Sequence, residues 1–166
     1  MKKEIGALLV HDQAEHMRAL AAMLRHQDIR VHHVRTCQAA ALELEHADPP
    51  QLVFTDTHLL DGKWLDIVLL AEGASQPVNV IVVARFMDEK LYVEALEEGA
   101  FDFIVPPFAS VDLAHVVRCA VDNVLDRRAA ALHGLPVSPQ PLIAPLPLRS
   151  GGERSRVSAK TSDLLP

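Results

Sequence analysis

The 166-residue chain is poor in cysteine and in aromatic side chains, with two of the former and 4% of the latter. Cys37 and Cys119 are too few for a disulfide framework and lack the paired spacing of a zinc site. Both fall in apolar helical patterns, so both are expected to be buried core thiols. No uninterrupted apolar stretch is long enough to span a bilayer, so no membrane segment is expected. The apolar run Ile5–Val10 is too short for a secretory signal core, and His11-Asp12 follows it instead of a small-residue cleavage pattern. A cytoplasmic location is the resulting expectation. Basic charge is also scarce: 16 Lys and Arg face 22 Asp and Glu, a net charge of −6, which argues against nucleic acid as a partner. A glycine-rich dinucleotide loop is missing too, since "HDQAEH" after the first apolar run has no glycine. That disfavours a small cofactor-dependent enzyme.

What remains is an alternation of short apolar runs with helical patterns. "IGALLV" (5–10) is strand-like, and Met17, Leu20, Ala21 and Leu24 follow at helical spacing. "IRVHHVR" is a weaker strand, followed by Cys37, Ala40, Ala41 and Leu44 at helical spacing. "QLVFTD" (51–56) precedes "KWLDIVLLAEGA", a helix stopped at Gly73. "VNVIVVA" (78–84) precedes "DEKLYVEALEEG", which Asp88 can cap and Gly99 can end. "FDFIV" leads to a last helix with Leu113, Val116, Val117, Ala120 and Val124 on one face and Ser110 placed to cap it. Continuously apolar strands need helices on both faces. The pattern therefore predicts an α/β, flavodoxin-like (βα)5 three-layer sandwich with a parallel sheet of order 2-1-3-4-5.

Composition changes near Gly134. All seven aromatics lie at or before Phe108, and the stretch from Gly134 to Pro166 holds six prolines. Residues 1–133 are expected to form the folded body and 134–166 a disordered, proline-rich tail. Within it, "PLIAPLPL" could dock a partner as an extended left-handed helix, or be plain tail.

Open parallel sheets carry their chemistry at the carboxyl ends of the strands. There the first strand ends in His11-Asp12, the third in Asp56, the fourth in Ala84 and the fifth in Pro106-Pro107. The predicted order makes strands one and three neighbours, bringing Asp12 toward Asp56. Two carboxylates about 4 Å apart repel by about 4 kcal/mol at an effective dielectric near 20. A divalent cation removes that cost, and Mg²⁺ suits oxygen donors. Because His11 and His58 flank the acidic pair, a His-Asp-Asp-His set for a transition metal is the alternative. His32 and His33 point to opposite faces of their strand and cannot chelate together. His16, His26, His46, His115 and His133 read as surface residues, and Trp64 as core.

Three blocks resemble one family, the receiver domain of two-component response regulators. They are "ALLVHDQAEHMRALAAML", "QLVFTDTHLLDG" and "GAFDFIVPPF", and the resemblance spans residues 4 to about 130. It implies that Asp56 is the phospho-acceptor, that Asp12 and the backbone carbonyl of His58 join it around Mg²⁺, and that Asp56 attacks a phosphohistidine. It implies a sensor histidine kinase or phosphotransfer protein as partner, with an unknown downstream protein; a homodimer through the fourth helix, fifth strand and fifth helix belongs to the docking alternative below. Pro107 matches the family's proline, whose preceding peptide bond is typically cis.

The departures fall on the functional positions. His11 stands at the first acidic position and Ala84 where a Thr or Ser hydrogen-bonds the phosphoryl group. Pro106 stands where a Lys clamps it, and Phe103, without a hydroxyl, is at the aromatic switch position. The loop after Asp56 is shorter than usual, with Leu60 where Pro is common. No helix-turn-helix pattern follows the body, so no DNA-binding output is expected. Two readings remain: an atypical phosphorelay receiver with weakened switching, or a phosphorylation-independent docking or dimerisation module.

Overall fold

The computed structural model describes residues 3–135. The expected tail is therefore, apart from Gly134 and Leu135, outside the described residues. The strands of the main sheet are β1 (Ile5–Val10), β2 (Ile29–Val34), β3 (Leu52–Asp56), β4 (Asn79–Val83) and β5 (Asp102–Ile104). The helices are α1 (Glu15–Arg25), α2 (Cys37–Leu44), α3 (Trp64–Glu72), α4 (Glu89–Glu97) and α5 (Ser110–Leu132). All sheet pairings are parallel, in the order β2-β1-β3-β4-β5. This is the predicted architecture, with one addition: a small antiparallel hairpin pairs His58–Leu59 with Gly62–Lys63.

Strand alternation divides the core in two. Leu8, Val10, Val53, Val80 and Val82 face α2, α3 and α4, where Trp64, Ile67, Val68 and Ala95 meet them. Ala7, Leu9, Leu52, Phe54, Ile81 and Val83 face α1 and α5, against Met17, Leu20, Leu24, Leu113 and Val117. Successive side chains point to opposite faces, so a strand inside a three-layer sandwich must be apolar at every position.

The helix ends follow local chemistry. Asp88 Oδ1 accepts the Leu91 N–H at 3.1 Å and starts α4. Gly99 follows α4 at φ 109°, a conformation that favours glycine. Ser110 is not the cap of α5: it is already the first helical residue, and extended Ala109 flanks it without a side-chain bond. Cys37 is buried as expected, but Cys119 is only half-buried, because the outer side of α5 turns it toward His115. The Pro106-Pro107 peptide bond is cis, and Phe108 packs back on the α1/α5 core.

Arg128 holds the far edge of the sheet. It is 6% exposed, and its guanidinium donates to the carbonyls of Pro77 (2.8 Å), Pro49 (3.0 Å) and Pro50 (3.2 Å) and to Asp48 Oδ1 (3.3 Å). One side chain thereby ties the end of α5 to the loops that enter β3 and β4.

Candidate functional site

The pairing register aligns the carboxyl ends of the central strands. Val10 lies opposite Thr55, Asp56 opposite Val83, and Val83 opposite Ile104. His11-Asp12, Asp56 and Ala84 therefore emerge side by side. Asp12, Asp56, Thr57, His58, Ala84, Arg85, Phe86, Asp88 and Leu91 line one cleft of about 440 Å³. Of the predicted positions, the structure brings Asp12, Asp56, His58 and Ala84 to this cleft; His11, Phe103 and Pro106 do not line it.

Asp56 Oδ1 accepts the Thr57 N–H at 2.7 Å and faces the Thr57 hydroxyl at 3.4 Å. This local bond orients the carboxylate at the strand exit. His58 is exposed on the hairpin, with its Nδ1 3.1 Å from Thr57 Oγ. Ala84 is buried, and its N–H donates to the Ile104 carbonyl at 3.0 Å. Phe103 is buried with Tyr92 packed edge-to-face on it, centroids 5.8 Å apart.

His11 is buried, and both its ring nitrogens are occupied. Nδ1 accepts the Ala14 N–H at 3.2 Å, and Nε2 lies 3.2 Å from His33 Nδ1. Burial lowers its pKa, His33 lowers it further, and nearby Asp56 partly opposes them. The ring has no lone pair to offer a metal, which removes it from a His-Asp-Asp-His set. His16 is half-buried, not on the surface as expected, because α1 turns it toward the cleft: burial lowers its pKa while Asp56 raises it.

Arg35 carries no signal in the sequence pattern, yet it is bonded to Asp12. Its Nε donates to Asp12 Oδ1 at 2.8 Å, and its Nη2 donates to the same oxygen. The loop that carries Arg35 is fixed from two sides. Thr36 Oγ caps α2 by accepting the Ala39 N–H at 3.1 Å. Asp61, at the hairpin turn, accepts the N–H groups of Cys37 (2.6 Å) and Gln38 (3.0 Å). Those bonds hold the Asp61 carboxyl below its usual range. Burial and the Asp61 charge push the Cys37 thiol up to about 11, which marks it as inert packing.

With Arg35 on Asp12 and a neutral histidine at the first acidic position, the donor set does not fit a bound Mg²⁺ as it stands. Among the described residues no group of three or more His, Cys, Asp or Glu side chains is arranged to hold a metal ion.

Comparison with known proteins agrees with the fold. The chain is 29% identical over 139 residues to the KDP operon transcriptional regulatory protein KdpE of Escherichia coli K12, covering 83% of this chain and 56% of that protein. It spans smaller shares, 9% to 26%, of three other curated relatives. Among solved structures, the signal receiver domain of a candidate Luxo repressor protein from Vibrio parahaemolyticus superposes with a TM-score of 0.67 at 22% identity, covering 77% of this chain and 98% of that one. The receiver domain of a sensor histidine kinase from Pseudomonas aeruginosa PAO1, with a magnesium ion in its active-site cleft, gives 0.63 at 19% identity, covering 72% and 99%. A family model described as the response regulator receiver domain matches residues 7–118. The chain belongs to the response regulator receiver domain family of two-component signalling.

Proposed function

We propose that this chain is an atypical receiver that acts in a phosphorelay, with Asp56 as phospho-acceptor and a weakened conformational response. It is a signalling module and not an enzyme, acts in the cytoplasm, and takes its phosphoryl group from a histidine kinase or phosphotransfer protein. Residues 1–133 form the receiver body. The observation that carries the reading is the Asp56 carboxylate itself. It stands at the exit of β3, is oriented by the Thr57 N–H, and lines an open cleft. An oxygen of Asp56 attacks phosphorus; the P–N bond to the donor imidazole breaks and its electron pair returns to the ring. The acyl phosphate is the product.

The weakness of the response follows from what surrounds Asp56. A phosphate-driven switch needs contacts that differ between its two states. Pro106 has no cation and Ala84 no hydroxyl. A hydrogen bond to a charged group contributes about 1.5–3 kcal/mol. Two missing bonds then remove about 3–6 kcal/mol, comparable to the ~5.5 kcal/mol needed to invert a two-state population fully. Phe103 adds no hydroxyl and is packed under Tyr92. Mg²⁺, for which Asp56 and the His58 carbonyl would be donors, binds at best weakly while Arg35 occupies Asp12.

A second reading, docking without phosphate to a downstream protein or to a second copy through α4, β5 and α5, is favoured by one observation. Large apolar side chains lie exposed along that face: Phe86 and Met87 just before α4, Val93 on α4 and Val111 on α5, at 81%, 61%, 50% and 81%. The test that separates the two readings is intact mass after incubation with a small phosphodonor such as phosphoramidate. One added phosphoryl group that disappears in Asp56→Asn supports the phosphorelay reading. Unchanged mass in the wild-type chain overturns it.

A further inference from the structure

We infer that Arg35 is a built-in counter-ion for Asp12, occupying by charge the role a divalent cation would otherwise fill. Mg²⁺ reaches this site only by displacing its guanidinium. Three observations converge. Both the Nε and Nη2 groups of Arg35 donate to one oxygen of Asp12. The pair is backed by the main chain one residue earlier on each side, where the His11 N–H donates to the Val34 carbonyl at 3.0 Å. And α2, which begins two residues after Arg35, is capped by both Thr36 and Asp61, so the loop between strand and helix cannot drift.

The charge balance points the same way. Asp12 and Asp56 are the acidic groups at the strand exits, and Arg35 cancels the first of them. His11 stands at the same strand exit and adds no negative charge. A second guanidinium residue, Arg85, lines the same cleft. Mg²⁺ dehydrates reluctantly and is held through one or two carboxylates. Here it meets a carboxylate already neutralised and a cation beside it. Arg35 is 59% exposed, so the ion pair is of the solvent-screened kind that a competitor at high concentration can open.

The inference does not depend on whether Asp56 accepts phosphate. The test is a Mg²⁺ titration of the full chain followed by amide NMR at Asp12 and Asp56, comparing wild type, Arg35→Gln and Asp12→Asn. Arg35→Gln is expected to bind Mg²⁺ about fivefold more tightly than wild type, equivalent to ~1 kcal/mol. Asp12→Asn is expected to weaken it. Equal affinity in wild type and Arg35→Gln, weaker binding in Arg35→Gln, or no saturable binding in either overturns the inference. A readout on the unaltered chain covers the case in which Arg35→Gln does not fold. The Arg35 Nε–H resonance should shift as Mg²⁺ saturates the Asp12 amide; its staying in place while that amide moves overturns the inference as well. Failure of the phospho-acceptor reading would show separately, as an unchanged mass.

Discussion

His11 Nε2 lies 3.2 Å from His33 Nδ1, with ring centroids 5.4 Å apart and planes at 75°. Because His11 Nδ1 accepts the Ala14 N–H, its ring proton sits on Nε2 and points at His33. A second proton on His11 would face the Ala14 N–H; a doubly protonated His33 would set one N–H against His11 Nε2–H and the other against Arg25 Nη2, 3.3 Å from its Nε2. Either breaks an existing bond. Burial lowers both pKa values from 6.5, with Arg25 and His32 adding to the effect at His33, His16 and Arg18 adding at His11, and Asp56 opposing there. The folded pKa values lie below the unfolded ones, so the unfolded chain takes up protons first on acidification. This stability is fully present above pH 6.5 and is lost as pH falls below it. Urea midpoints should drop between about pH 7.5 and about pH 5.5, and drop less in His33→Gln.

Gly62→Ala should destabilise the chain by about 1–3 kcal/mol. A Cβ there would sit 2.6 Å from Asp66 Oδ2 and 2.8 Å from Cys37 Sγ. Neither can yield freely: Asp66 Oδ2 accepts the Lys63 N–H at 2.9 Å, and Cys37 is in the core. The change should also loosen the hairpin that holds the start of α2. Chemical denaturation measures the first effect and amide exchange at Cys37 and Gln38 the second.

Arg128→Ala should cost about 2–4 kcal/mol, because it strips donors from the three carbonyls of Pro49, Pro50 and Pro77. Arg128→Lys should recover only part of the loss, since a single ammonium cannot span the same fork of acceptors. Urea unfolding of the two variants tests both statements.

Ending the chain after His133 should leave the melting temperature within about 2 °C of the full chain. Arg128 is the last buried residue described, and Leu132 is 87% exposed. A drop of several degrees would show that residues beyond His133 contribute to the fold.

Much of this was legible in the sequence, for physical reasons. Short β-branched runs such as "VNVIVV" read as strands covered on both faces, and their order is that of the common doubly wound parallel sheet. Asp12 and Asp56 were legible because both close such runs. Arg35 was not, since its bond to Asp12 spans 23 positions and a loop residue carries no periodicity. Arg128, in "DRRAAAL", was not legible either, because its role depends on three loop carbonyls 51, 78 and 79 positions away. The His11–His33 contact was hidden because strand alternation told which way His33 points but not what it meets. Ser110 misled because a Ser before an apolar helical run fits the cap and the first turn equally well.

The central claim is an acceptor Asp56 joined to a weak switch. Amide NMR spectra of the full chain before and after treatment with phosphoramidate, with the phosphorylated fraction fixed by intact mass, test it most directly. The account predicts a phosphorylated chain whose shift changes stay around Asp12, Asp56 and His58. Large changes running through Leu91–Leu96 and Phe101–Val105 would contradict it, because they would mean that another residue of the cleft has taken over the contacts that Pro106 and Ala84 cannot make.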